Sequence, residues 1–170
     1  MADPATFTIQ PLTPGTRGPA KALLRRVFTD EEWFDELNIA LLGTRFQGFS
    51  RLLGVEGQRV WVAVAPHGAV LGVTGLYIVS GDADAVWLGW FCVAPEARGQ
   101  GVGGALLDFS IEEARRSGRP FLRLVTSTDA SEAAAQGLYE SRGLTVVARR
   151  QPFSWIGSGV EELTRQRSLS

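Results

Sequence analysis

The stretch Val93-Ala94-Pro95-Glu96-Ala97-Arg98-Gly99-Gln100-Gly101-Val102-Gly103-Gly104 decides the fold of this chain. It follows an apolar run, Val86–Val93, and leads into a helical pattern, with four glycines in its last six residues. Glycine has no Cβ, so a ligand can approach this backbone closely and amide N–H groups can converge on it. Amides at a helix N-terminus, together with the helix dipole, favour an anion such as a pyrophosphate. An ordinary turn would not place so many glycines in a first helical turn, where each costs about 1 kcal/mol relative to alanine.

The same glycines also match, formally, the dinucleotide-binding pattern Gly-x-Gly-x-x-Gly. In that fold the first glycine directly follows the strand, and several βα units come after it. Here Pro95–Arg98 separate the strand from the first glycine, and few βα units follow. The context therefore disfavours a dinucleotide-binding fold.

Hydrophobic periodicity outlines the elements around this turn. Upstream it predicts strands at Thr6–Leu12, Arg59–Ala65, Val70–Val79 and Val86–Val93, and helices at Pro19–Phe28 and from the capping box Thr29–Glu32 onward. Downstream it predicts a helix that ends before Gly118, a strand at Phe121–Thr126, a helix from the capping box Asp129–Glu132 to Gly143, and strands at Leu144–Ala148 and Val160–Ser168. Hairpins first and β-α-β units later predict an α/β protein with a mixed sheet and helices on both faces.

Composition narrows the possible chemistry. The 170 residues fit a single domain, 1-170, and their formal net charge of −1 argues against a nucleic-acid partner. One cysteine, Cys92, cannot form an internal disulfide, and with one histidine, His67, it cannot build a zinc cluster, so we expect no metal. His67 lies in Pro-His-Gly, a hairpin tip where we expect an exposed side chain. We recognise neither a secretory signal nor a membrane-spanning run, and therefore expect a cytoplasmic protein without a membrane partner.

Two motifs carry a resemblance to a known family. The pattern Val93-x-Pro95-x-x-Arg98-Gly99-x-Gly101-x-Gly103 resembles the acetyl-CoA signature of the GCN5-related N-acetyltransferase (GNAT) superfamily, whose core is Arg/Gln-x-x-Gly-x-Gly/Ala. A second block, Ala135–Leu144, is similar to the family pattern Ala-x-x-Leu-Tyr-x-x-x-Gly-Phe and lies one helix and one strand further on. The resemblance implies a bacterial-type single-domain acyl-CoA N-acyltransferase fold. Its central sheet would be mixed, mainly antiparallel and twisted, with about four helices beside it.

The resemblance also implies roles for individual residues. In that family the strand before the glycine turn splays from its neighbour, and the pantetheine arm of acetyl-CoA lies in the gap. Backbone contacts to that arm would come from Phe91, Cys92 and Val93, and the pyrophosphate would be held by Arg98, Gly99, Gln100, Gly101, Val102, Gly103 and Gly104. Tyr139 corresponds to the tyrosine that donates a hydrogen bond to the departing sulfur. We interpret the Cys92 side chain as a small buried hydrophobe rather than a nucleophile, since no ionisable residue is near it in sequence.

The chain departs from the family pattern in two places. Glu132 stands where the family often has an asparagine that contacts the coenzyme; either Ser131 or Asp129 replaces it, or the contact is absent. The strand Leu122–Ser127 has no carboxylate, although many members place a catalytic glutamate there. An alkylammonium group, with a pKa of about 10.4, must lose a proton before it attacks. The base stays open between a water chain and the carboxylates of three residues: Asp82, Asp84 and Glu56.

The acceptor is implied only as a class. In such folds a variable segment, here Asp30–Ser50, often walls the acceptor site, and its acids and aromatics suit a cationic amine or simply cap a helix and fill the core. We expect acetyl-CoA as the co-substrate, a small-molecule or peptide amine as the acceptor, and leave a homodimer open. The alternative function is a non-catalytic acyl-CoA-binding or regulatory module of the same fold. Transfer to oxygen, or of a longer acyl chain, also stays open.

Overall fold

The computed structural model describes residues 6–28, 42, 54–152 and 155–170 of the chain. Within them the elements follow in the order β1 Thr8–Pro11, α1 Pro14–Val27, β2 Val55–Val64, β3 Val70–Val79, β4 Ala85–Val93, α2 Val102–Arg115, β5 Phe121–Ser127, α3 Ala133–Ser141, β6 Thr145–Arg150 and β7 Glu162–Ser168. Short 3-10 turns precede α2 and α3, at Pro95–Ala97 and Ala130–Glu132. The predicted α/β class is confirmed. The predicted helix that starts in Thr29–Glu32 lies outside the described residues.

The strands form one sheet in the order β1-β2-β3-β4-β5-β7-β6. β4 and β5 are parallel, and the other five neighbouring pairs are antiparallel, which is the mixed, mainly antiparallel sheet expected from the resemblance. Parallel neighbours need a crossover connection, and α2 supplies it. The carboxyl ends of β4 and β5 therefore lie at the same edge of the sheet, followed by the glycine-rich turn and by the start of α3.

The first helix begins earlier than the sequence pattern predicted. Pro14 and Gly15 suggested a turn that closes the first strand, but α1 starts at Pro14, with Thr13 as its N-cap. The Thr16 N–H donates to Thr13 Oγ1 at 3.3 Å, and the Thr13 N–H donates to Thr16 Oγ1 at 2.9 Å. A proline in the first helical position has no N–H to leave unpaired, so this start is a favourable one.

Two clusters of buried side chains hold α2 against the sheet. One cluster joins α1 to β2–β4 and includes Leu24, Val73 and Leu106. The other joins α2 to β5 and includes Leu107 and Leu124. Burying one such leucine stabilises the fold by about 1.5–3 kcal/mol. Because α2 contributes leucines to both clusters, its first turn is held firmly at the edge where β4 ends.

Candidate active site

The strands β4 and β5 part before they end. Their parallel register runs from Ala85 opposite Phe121 to Leu88 opposite Leu124, and these two fully described strands make no pair beyond it. β4 continues to pair with β3 as far as Val93, whereas β5 continues to pair with β7. The last residues of each strand therefore border a gap, as the resemblance implied.

A bulge in β4 accompanies the gap. Between the pairs Gly75–Gly89 and Val73–Cys92, β3 advances by two residues and β4 by three, so β4 carries one extra residue. Trp90, inside this bulge, has a φ of 54°, the only positive φ at a non-glycine residue in the described ranges. A bulge bends its strand and ends regular pairing. The apolar sequence of β4 predicted a central strand but held no sign of this bulge.

The glycine-rich turn exposes a row of amides beyond the end of β4. Gly99 and Gly101 have φ values of 74° and 84°, in the left-handed region that glycine tolerates best, and Gly101 is the N-cap of α2. The first helical bond runs from the Ala105 N–H to the Gly101 carbonyl at 3.0 Å. Within the described part of the chain, the six N–H groups from Gly99 to Gly104 have no acceptor. Together with the helix dipole they form an anion-binding arrangement.

Charge and packing around the turn support this arrangement. The Arg98 side chain is exposed beside the free amides and forms no ion pair with a described carboxylate. Gly104 serves packing instead, because a Cβ there would lie 3.1 Å from an Arg142 guanidinium nitrogen. That guanidinium is itself paired with Asp108 at 3.0 Å, which ties α3 to α2. Gly99 and Gly101 thus permit the left-handed backbone of the turn, whereas Gly104 permits the close approach of Arg142.

Tyr139 lies at the gap, on α3. Its side chain is 6% exposed, and its ring centroid is 5.8 Å from that of Phe91 on β4. Burial, and then the negative charge of Glu132, raise the pKa of its hydroxyl above the usual value. The hydroxyl has no hydrogen-bond partner among the residues that the structure describes. The phenol is therefore neutral and has a proton to donate to a ligand.

The Cys92 thiol is poorly suited to act as a nucleophile. Its side chain is 4% exposed, and burial raises the pKa of the thiol to about 12 in spite of the nearby Arg98 and Arg26 charges. A nucleophilic cysteine needs its thiolate form. The structure thus supports the interpretation of Cys92 as a small buried hydrophobe.

The three carboxylates considered as bases lie away from the gap. Asp82 and Asp84 precede β4, and Glu56 lies near the start of β2, at the same edge of the sheet. At about 3.3 Å per strand residue, Asp84 is about 26 Å from Cys92 along β4. Burial by itself would raise the pKa of Asp82, but hydrogen bonds from Trp87 Nε1 at 2.8 Å and from Arg123 at 2.7 Å outweigh it and lower that pKa.

A carboxylate that the sequence reasoning misinterpreted lies at the gap instead. Asp129 caps the turn before α3 as predicted, accepting from the Ser131 N–H at 2.8 Å. The Glu132 side chain does not accept a hydrogen bond from the Asp129 N–H, as a capping box would require, because that N–H donates to Ser127 Oγ at 3.3 Å. It accepts hydrogen bonds from Ser127 Oγ at 2.6 Å and from Thr126 Oγ1, on the last two residues of β5. In the sequence, the hydroxyl residues Thr126 and Ser127 shortly before Glu132 were the signal that could have predicted this contact.

A buried arginine extends this cluster. Arg165 on β7 is 3% exposed; its Nε donates to Gln136 Oε1 at 2.9 Å, and it also donates to the Leu144 carbonyl at 2.8 Å. The Gln136 amide nitrogen donates in turn to Thr126 Oγ1 at 3.3 Å and to the Ser127 carbonyl. The start of α3, the end of β5 and the middle of β7 are therefore joined by one hydrogen-bonded chain.

The other predicted positions are placed as follows. His67 is exposed in the turn between β2 and β3, as expected. The proposed acceptor wall, Asp30–Ser50, lies outside the described residues apart from Leu42. Among the residues with described positions, no three His, Cys, Asp or Glu side chains are grouped as a metal site. None of the described helices is long and apolar enough to cross a membrane.

Comparison with protein families gives one match. Residues 56–145, more than half of the chain, match the family model for an acetyltransferase (GNAT) domain. The matched stretch runs from β2 to the start of β6 and contains the gap, the glycine-rich turn and Tyr139. No protein with a curated description matches the sequence significantly.

Solved structures share the fold over almost the whole chain. A GCN5-related N-acetyltransferase from Kribbella flavida has a TM-score of 0.75 and 23% identity, covering 98% of this chain and 99% of that one. The ribosomal-protein-S18-alanine N-acetyltransferase from Escherichia coli has a TM-score of 0.72 and 23% identity, covering 97% and 95%. The spermidine N-acetyltransferase from Vibrio cholerae, in complex with CoA and spermine, has a TM-score of 0.72 and 16% identity, covering 96% and 95%. At these identities the likeness establishes the fold.

Proposed function

Because the chain belongs to the GNAT acetyltransferase family, we propose that it transfers an acetyl group from acetyl-CoA to a primary amine. One observation carries the proposal: the gap between β4 and β5 leads directly to a row of six free amides, with Tyr139 beside the gap. A long donor with a thioester at one end and a pyrophosphate at the other needs a groove that offers these contacts in this order.

The donor would be bound mainly by backbone groups. Phe91, Cys92 and Val93 have no strand partner on the β5 side, so their free peptide groups can pair with the amides of a pantetheine arm. The six amides from Gly99 to Gly104, with the Arg98 guanidinium, would hold the pyrophosphate, whereas the Arg98 N–H already donates to the Pro95 carbonyl at 3.3 Å. Backbone recognition of this kind explains how a chain with one histidine, one cysteine and one lysine could carry out the reaction.

Tyr139 would assist the departure of sulfur. A thiol has a pKa of about 8.5 and a phenol one of about 10, so the thiolate leaves readily while the phenol keeps its proton. Burial and Glu132 raise the pKa of Tyr139 further, which favours a strong hydrogen bond over a full proton transfer. Such a bond strengthens as negative charge builds up on sulfur. Because it is stronger in the transition state than in the ground state, it accelerates the reaction.

The acceptor is proposed as a small-molecule or peptide amine. Two structural neighbours act on amines of these two kinds, spermidine and the alanine of a ribosomal protein. Neither sequence identity, 16% or 23%, is high enough to show which kind of amine this protein acetylates.

A thiol-release assay tests the proposed function. Purified protein is given acetyl-CoA and a panel of polyamines, amino acids, aminoglycosides and peptides with free N-termini, and calorimetry measures the binding of CoA in parallel. We expect CoA to bind and at least one amine to release thiol with acetylated product. Binding of CoA without turnover on any amine would favour the non-catalytic module. Absence of CoA binding would refute the assignment of the site.

A further inference from the structure

An unpaired carboxylate lies where the proposed transfer would take place. Glu132 directly precedes α3, at the carboxyl end of β5 where β4 and β5 have parted. Thr126 Oγ1 and Ser127 Oγ both donate hydrogen bonds to it, which favours the ionised form. An ionised carboxylate has about four lone-pair sites, so sites remain free for a further donor. No arginine, lysine or histidine in the described ranges forms an ion pair with it.

Tyr139 follows Glu132, the N-cap of α3, by seven residues. Seven residues make about two helical turns, so Tyr139 lies about 10.5 Å along the helix axis from the N-cap and on about the same side of the helix. Cα–Cβ bonds in a helix lean toward its N-terminus, so the Tyr139 side chain extends back toward Glu132. The electrostatic effect of the Glu132 charge on the Tyr139 hydroxyl agrees with this proximity. A proton donor and a proton acceptor thus border the same region.

A chain of hydrogen bonds orients the carboxylate. The buried Arg165 donates to Gln136 Oε1, the Gln136 amide donates to Thr126 Oγ1, and the Thr126 hydroxyl donates to Glu132 Oε2. Every bond in this chain points toward Glu132, and successive hydrogen bonds in a buried site polarise one another. The fold therefore holds Glu132 in one orientation while leaving its charge unneutralised.

Resting on the acetyl transfer proposed above, we propose that Glu132 is the catalytic base, which no carboxylate of β5 itself supplies. Its carboxylate takes one proton from the alkylammonium nitrogen, directly or through one water, which frees the nitrogen lone pair. The neutral amine then forms the N–C bond as the C–S bond breaks, and the nitrogen gives up its second proton to solvent. The electron pair of the C–S bond goes to sulfur, which the Tyr139 hydroxyl stabilises. The thiolate then takes a proton from solvent, and Glu132 returns its own proton to solvent.

The substitution Glu132→Gln tests this role. Glutamine keeps the size of the side chain and one hydrogen-bond acceptor but cannot take a proton. We expect kcat to fall by about 100-fold, within the range of a lost general base, and the acidic limb of the kcat/KM pH profile to disappear. The dissociation constant of CoA should stay within about threefold, since the base contacts the amine rather than the donor.

Glu112→Gln is the matched control. Glu112 lies on α2, its side chain is 60% exposed, and it pairs with Arg115 outside the hydrogen-bond chain that orients Glu132. We expect its kcat and pH profile to match those of the wild-type protein. Should Glu132→Gln fail to fold, Thr126→Val keeps the base and removes one orienting hydroxyl. For that variant we expect a fall in kcat of about tenfold and a shifted acidic limb.

Each outcome decides something. A Glu132→Gln variant, or in its place a Thr126→Val variant, with wild-type kcat and pH profile overturns the assignment of the base. A variant that loses CoA affinity but keeps kcat at saturating acetyl-CoA shows a coenzyme contact and also overturns it. If the wild-type protein itself releases no thiol, the proposed function and this inference fail together. An active wild-type protein with an equally active Glu132→Gln variant leaves the function intact and refutes only the base.

Discussion

Removing one oxygen atom from Tyr139 should slow acetyl transfer without disturbing the fold. Tyr139→Phe keeps the buried ring against Phe91, 5.8 Å away between centroids. Because the hydroxyl has no partner among the described residues, its loss leaves no described acceptor unpaired. We therefore expect the free energy of unfolding to change by less than about 1 kcal/mol. The whole effect should appear in the chemical step.

The expected decrease in kcat follows from the surroundings of the Tyr139 hydroxyl. A hydrogen bond to a charged group contributes about 1.5–3 kcal/mol, and the 6% exposure of Tyr139 favours the upper part of that range because little water competes. At about 1.36 kcal/mol for each factor of ten, this corresponds to a loss of about 10- to 150-fold. Donors aimed at a developing charge in a buried site reach about 1000-fold. We expect kcat to fall by about 10- to 1000-fold.

Single-turnover thiol release at saturating acetyl-CoA and amine measures the effect. The matched control is Tyr77→Phe, since Tyr77 is the other of the two tyrosines in the sequence. Burial raises the pKa of Tyr77 to about 12, and its ring lies over Gly89, where an added Cβ would be 2.8 Å from it. The kcat of the Tyr77→Phe variant should stay within about threefold of the wild-type value. A Tyr139→Phe variant as fast as the wild-type protein, with chemistry rate-limiting, would refute the reasoning.

Three further substitutions test the backbone and the buried thiol. Gly101→Ala places a Cβ at a φ of 84°, which should cost about 1–2 kcal/mol and weaken acetyl-CoA binding in calorimetry. Gly137→Ala lies in the helical backbone of α3 with open space at the new Cβ, so it should instead raise the free energy of unfolding in urea by about 0.5–1 kcal/mol. Changes of the same sign in the two variants would contradict this argument. Burial raises the pKa of Cys92 from 9.0 to about 12, so its contribution to stability is complete below pH 9 and is lost as pH rises from 9 toward 12. Above pH 10 the buried tyrosines Tyr77 and Tyr139, whose pKa values are also raised, add to this loss. The contribution of Cys92 is therefore the difference between the wild-type protein and Cys92→Ala in urea unfolding, about 1.4 kcal/mol per pH unit between pH 10 and 12; identical slopes for the two proteins would count against it.

Sequence patterns predicted the elements that depend on neighbouring residues. The glycine-rich turn, the helix that follows it and the places of the strands along the chain all follow from local spacing, and the structure has them. The start of α1 at Pro14 was missed because a proline followed by glycine suits both a turn and a first helical position. Only the reciprocal bonds of Thr13 and Thr16 distinguish the two.

The candidate site was predictable on the donor side and not on the acceptor side. Six consecutive amides at a helix start are encoded by adjacent glycines, so their place was apparent from the sequence. The position of a carboxylate relative to the gap depends on strand register, and the carboxylates first considered, Asp82 among them, lie at the opposite edge of the sheet. Glu132 was interpreted as half of a capping box because Asp129 precedes it by three residues.

The sequence by itself determined the glycine-rich turn, the family motifs and the class of chemistry, because each depends on residue types a few positions apart. Only the tertiary structure decided where β4 and β5 part, that β4 carries a bulge at Trp90, and which carboxylate bonds to the last residues of β5. These features depend on which strand lies beside which, and in what register. Thr126 and Ser127 meet Glu132 because β5 ends where α3 begins, while Arg165 reaches the same cluster from β7, 29 residues beyond Gln136. No local pattern encodes a contact of that separation.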